Sequence, residues 1–188
     1  MPTEYILAYH CAPAFAGIKP SNIASCSKRE NPNITVQIKM LNEKLNKNDI
    51  YINVLCECGE RVLLMVYRKQ KLCEYLQRDD INHLCDNDYP KEFSLMKYLA
   101  ILKSRIYAQR LMNKEFPHEI GAFLGYPLHD IYGFINHKHQ GCLLTGEWKV
   151  YENTEQAKKL FCRYNKCRKA VIKRINEGRT LTDLFCIA

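Results

Sequence analysis

Two runs rich in β-branched and apolar residues, 50–56 and 62–67, are separated only by Glu57-Cys58-Gly59-Glu60. The gap is too short for a crossover and suits a tight reversal, so it predicts an antiparallel hairpin. A hairpin alone is marginal in water, which obliges the remainder of the chain to extend and cover it. That remainder is mostly helical in pattern. Ile34, Ile38, Leu41 and Leu45 recur at helical spacing and predict a surface helix. Residues 69–84 read as one or two short helices broken near Arg78-Asp79-Asp80. Residues 94–112 read as a long helix with Leu95, Leu99, Leu102 and Ile106 on one stripe and Lys97, Lys103, Arg105 and Arg110 available to face water. Pro117 opens a further helix with Glu119 in its first turn and Gly125 as its stop, and Pro127 starts the next. Thr154 suits the cap of a closing helix whose apolar face is Ala157, Leu160, Phe161, Tyr164, Val171 and Ile175. Gly178 ends it, and residues 180–185 form a last short helix.

Three segments complete the reading. Tyr5, Ile6, Leu7 and Ala8 suggest an extended run, residues 21–32 a polar loop, and residues 143–151, interrupted by Gly146, a bent strand or hairpin that joins the sheet. The fold expected is α+β: a small antiparallel sheet from segments near 4–9, 50–56, 61–67 and 143–151, covered by several helices. At 188 residues the chain is expected to be a single domain, 1–188.

Composition narrows the setting. The net charge of +8 favours acidic partners without choosing among them. Ten cysteines would be heavy for a secreted domain, yet the opening residues lack the basic start and apolar run of a signal peptide, and no stretch approaches the ~20 apolar residues of a bilayer span. A cytoplasmic protein with reduced thiols and no membrane partner is the expectation. No C-x-x-C occurs, so the cysteines spell no zinc site; Cys56 and Cys58 form a C-x-C whose thiols are able to bind a soft metal or cycle through oxidation. No metal and no cofactor is assigned.

The candidate chemistry centres on His10-Cys11-Ala12-Pro13 and on Pro117-His118-Glu119. Where an extended segment gives way to a helical turn, a thiol at the helix start faces unpaired amides and the positive end of the dipole, both of which favour thiolate. Cys11 is thus the candidate nucleophile, His118 its base, and Asp130 or Glu119 the group that orients the imidazole. His10 is the rival base. The order of cysteine then histidine resembles papain-like enzymes in order only. The function expected is cysteine-dependent acyl transfer or hydrolysis of a thioester, ester or amide, through an acyl-cysteine, with a small-molecule or carrier-bound acyl substrate; release to an amine would make the enzyme amide-forming. The alternative is a non-enzymatic metal, cofactor or redox-handling binding protein using His10, Cys11 and His118. Lys158, Lys159, Arg163, Lys166, Arg168, Lys169, Lys173 and Arg174 crowd the closing helix and suggest an acidic protein partner. Nucleic acid is disfavoured because Phe161 and Tyr164 fall on the apolar stripe.

The wording of the chain adds to its pattern. His10-Cys11-Ala12-Pro13, Ala16-Gly17-Ile18-Lys19, Pro117-His118-Glu119-Ile120-Gly121, Leu124-Gly125-Tyr126-Pro127, Gly133-Phe134-Ile135 and Trp148-Lys149-Val150-Tyr151 together resemble the bacterial family known as domain of unknown function 3793. The resemblance spans nearly the whole chain. It implies a single-domain cytosolic bacterial protein and carries no activity with it. Gly146-Glu147 before Trp148 departs from the family pattern, which prefers an aromatic there.

Overall fold

The computed structural model describes residues 2–82, 84, 88–112, 116–137 and 140–186. The fold is α+β, and the chain divides into two compact units, residues 1–72 with 164–188, and residues 73–163.

The first unit is built on the predicted hairpin. Strands β2 (Ile50–Cys58) and β3 (Arg61–Arg68) are antiparallel and joined through Gly59 and Glu60, with Gly59 at φ +53°, a conformation that favours glycine. β3 is the central strand of three, because β1 (Ser21–Ser27) pairs along its other edge, Ser21 opposite Tyr67 and Ser27 opposite Arg61. This corrects the expectation of a loop at 21–32. The polar look of β1 misleads because only alternate residues, Asn22, Ala24 and Cys26, are needed to fill its buried face. Helix α2 (Ile34–Leu45) buries the predicted stripe, and its Asn42 amide donates to the Ile52 carbonyl (2.8 Å) while accepting from the Ile52 N–H (2.9 Å). That bracket occupies backbone groups which edge strand β2 would otherwise present unpaired.

The second correction is at the start of the chain, where residues 4–9 belong to helix α1 (Thr3–Phe15) and not to a strand. Ile6, Leu7, Ala8, Cys11, Ala12, Pro13, Ala14 and Phe15 are all buried, so α1 is enclosed on most sides and shows no amphipathic period. A short apolar run of this kind cannot be assigned by periodicity. Pro13 lies inside α1 and leaves the Tyr9 carbonyl without its helical donor; the Arg168 guanidinium Nε donates to that oxygen at 2.8 Å. The chain end returns to α1 through helix α9 (Leu181–Phe185), capped by a Thr180/Asp183 box, with Phe185 stacked on Phe15 and the Leu181 N–H bonded to Glu4.

The second unit holds the second half of α3 (Lys69–Leu76), with α4 (Asp79–Asn82), the long α5 (Leu95–Met112), α6 (Ile120–Phe123) and α7 (Leu128–His137). The α5 stripe of Leu95, Leu99, Leu102 and Ile106 is buried as predicted. Gly125 ends the α6 turn at φ +68°. The segment 143–151 forms a separate two-stranded sheet, β4 (Leu144–Thr145) with β5 (Lys149–Val150), and does not join the first sheet. Its two-residue strands pair with each other around Gly146, leaving no length for another ladder. Helix α8 (Thr154–Asn176) follows, its first ten residues assigned to the second unit and the rest to the first.

Candidate functional site

Cys11 lies on the third turn of α1, not at a helix start, so neither the free amides nor the positive dipole end invoked from sequence reaches it. It has no exposed surface. Burial pushes its thiol well above the ordinary range, against the opposing pull of Lys19 and, more weakly, Arg168. Lys19 is itself buried, its ammonium 5.7 Å from the centre of the Tyr164 ring. Cys26, on β1, is likewise pushed up by burial. His10, the next residue along α1, is exposed and meets Tyr9 edge to face. Neighbours on a helix point about 100° apart, which is how one of this pair reaches water while the other is sealed in the core.

His118, Glu119 and Asp130 belong to the second unit, Cys11 to the first. His118 is half-buried in the turn before α6, its ring edge-on to Phe134 at 5.6 Å. Both candidate orienting carboxylates are buried and already engaged. Glu119 accepts from Arg105 Nη1 at 2.7 Å and from the Tyr89 hydroxyl at 3.3 Å. Arg105 therefore does not simply face water as predicted: its other Nη donates to Asp88 at 2.7 Å. Asp130, on the first turn of α7, accepts from Trp148 Nε1 (2.7 Å), the Tyr151 N–H (2.7 Å) and the Glu152 N–H (3.3 Å), with His129 Nε2 at 3.7 Å. One carboxylate thus ties α7 to β5 and the start of the turn beyond it. Charge-assisted bonds to a buried indole and two amides fix a fold with high geometric precision, and they occupy the lone pairs that an orienting role would need.

Sequence reasoning missed these two carboxylate centres as structural anchors. A signal existed for one of them: a buried tryptophan N–H must find an acceptor, and Asp130 is an acid on the apolar-facing side of a short helix. Nothing in the spacing of Tyr89, Arg105 and Glu119 marks them as a cluster.

Two further features stand apart from these residues. The first is the Cys56 and Cys58 pair at the end of β2, whose sulfurs lie 2.8 Å apart. The second is α8, which carries eight basic residues and one acidic residue, seven of the chain's eight net positive charges. Lys159, Arg163, Lys166 and Lys169 are exposed, and none of them is in an ion pair among the described residues. Phe161 packs edge-on against Trp148 at 4.6 Å and Tyr164 is buried, so neither aromatic lies on the basic face.

Among the described residues no group of three or more histidine, cysteine or acidic side chains is arranged to hold a metal ion. No described helix is long and apolar enough to cross a membrane. No curated protein and no solved structure matches the chain. Residues 7–185 match the family described as "Protein of unknown function (DUF3793)", and the chain belongs to that family.

Proposed function

We propose that the protein is a binding protein that docks an acidic protein partner on the outer face of α8. The observation that carries this reading is the concentration of charge: a single helix holds nearly all of the net positive charge, and Lys159, Arg163, Lys166 and Lys169 are exposed and form no close ion pair among the described residues. Lys159, Arg163, Lys166 and Lys169 follow one another at steps of four, three and three residues, which aligns them along one face with about 5–6 Å between neighbours. Carboxylates on an acidic helix repeat at the same interval. An exposed basic row of this kind raises the local concentration of an acidic partner and speeds its association. Acidic protein is favoured over nucleic acid because the aromatics of α8 are turned inward, leaving no platform for bases.

Acyl transfer at Cys11 draws less support. Its thiol is desolvated and held protonated, and both carboxylates proposed to orient His118 are committed elsewhere.

The test is fluorescence anisotropy with a labelled glutamate-rich peptide at low salt, against a single-stranded oligonucleotide of equal charge. Replacing Lys159, Arg163, Lys166 and Lys169 together with Glu should weaken peptide binding by at least ~10-fold, given ~1 kcal/mol or less per exposed pair. Equal binding by the reversed variant overturns the proposal, as does tighter binding of the oligonucleotide.

A further inference from the structure

The register of the hairpin shifts between Val54 and Cys56: Val54 stands opposite Leu64, and Cys56 opposite the adjacent Leu63. Leu55 is the extra residue of this bulge, and beyond it residues 56 and 58 project from the same face of β2. Cys56 is buried and Cys58 is half-buried. Their sulfurs, 2.8 Å apart, sit inside ordinary van der Waals separation, so that less than ~1 Å of approach brings them to the ~2.05 Å of a covalent bond. Glu57 alternates to the opposite face and is held there by Lys28 at 2.9 Å, which keeps its carboxylate away from the thiols. Arg61 stands across the ladder from Cys58, but its guanidinium is turned to β1, where it donates to the Ser25 hydroxyl at 2.8 Å and to the Ser25 carbonyl at 3.1 Å.

We propose that Cys56 and Cys58 are a redox pair that reduces a low-molecular-weight disulfide and closes to a disulfide within the strand. Cys58, the more exposed, loses its proton to solvent and its sulfur attacks one sulfur of the external disulfide. That S–S bond breaks, one thiolate leaves and takes up a proton, and a mixed disulfide remains on Cys58. Cys56 then loses its proton and attacks Cys58 Sγ, releasing the second thiolate. Two protein thiols are oxidised and one external disulfide is reduced to two thiols. The ring closed in this way spans three residues and cross-links no distant segments, so it contributes little to stability through chain entropy. Its consequence is local: Cys58 is the last residue of β2, next to the turn at Gly59, where the backbone is best able to adjust.

The experiment incubates the folded full-length chain with oxidised glutathione, blocks remaining thiols, and maps the products by mass spectrometry after trypsin. Cys56 and Cys58 fall in one peptide, between Lys47 and Arg61. That peptide should appear ~2 Da lighter and unblocked, forming at least ~10-fold faster than modification of the exposed Cys162. In Cys56→Ser the mixed disulfide should persist on Cys58; in Cys58→Ser, Cys56 should stay reduced. The same incubation in urea should abolish the rate advantage. Full blocking of both cysteines in the wild-type chain overturns the proposal, as does equal linkage in urea. A mixed disulfide on Cys56 but not on Cys58 overturns the order of attack.

Discussion

Cys11 and Cys58 are both cysteines of the first unit, and their surroundings differ in burial and in what each sulfur touches. Cys11 is enclosed within α1, and burial outweighs the nearby Lys19 cation, so it is stabilised as a neutral, packed side chain. Cys58 is at a strand end, half open to water, with a second sulfur in contact. The sequence points to Cys11 because it follows a histidine where an extended run is expected to give way to a helix start. Motif and reactivity separate here because solvent access, which decides whether a thiolate forms, is a property of the whole packing arrangement. The motif at Cys11 has a packing explanation: small and apolar residues let an enclosed helix sit close on the sheet, and Pro13 creates a free carbonyl that Arg168 satisfies.

The comparison breaks most decisively under a thiol-specific alkylating reagent at neutral pH. Reaction at Cys11 requires opening of α1, a core element, whereas reaction at Cys58 requires none. An opening free energy of ~4 kcal/mol would protect Cys11 by roughly 1000-fold relative to Cys58. Site-resolved mass spectrometry over a time course measures this directly. Comparable rates at the two residues would mean that α1 opens readily, and would return Cys11 to consideration as a nucleophile.

A smaller effect separates the two sites by stability. Cys11→Ser places a hydroxyl where there is no water, at a cost of about 1–3 kcal/mol, while Cys58→Ser should stay within about 0.5 kcal/mol. Urea melts of the two variants provide the readout, with an unchanged slope confirming that only stability has moved. Equal losses would show that the strand end is as tightly packed as the helix.

How far these contrasts were legible beforehand follows from how local each cause is. The hairpin, α2, the α5 stripe and the capped final helix were readable because periodicity and turn residues carry them over short spans. α1 was not, since a helix buried on most sides has lost the polar face that identifies it. β1 was not, since its strand character comes from pairing with β3 some forty residues on. For the site, the residue types were legible and their employment was not: Glu119 and Asp130 look the same in sequence whether they orient a histidine or hold Arg105 and Trp148. The C-x-C was visible as a spacing that puts both thiols on one face of any strand, but the close approach of the two sulfurs was not.

The gentlest test of the contrast is a pH dependence. The Cys11 thiol is raised above the ordinary 9.0 in the folded chain, so between that value and its folded value the unfolded chain binds fewer protons than the folded one. The slope of unfolding free energy with pH is then negative. The contribution of Cys11 is complete below pH 9 and is lost progressively as pH rises above it, by at most ~1.4 kcal/mol per unit. Cys26, also raised by burial, adds to the same slope. Chemical denaturation of the wild-type chain and of Cys11→Ala from pH 8 to pH 10.5 isolates the term: the wild-type curve should fall more steeply above pH 9, and the two should run parallel below it. Parallel curves throughout would mean that the Cys11 thiol ionises as easily folded as unfolded, which is incompatible with a sulfur sealed inside α1.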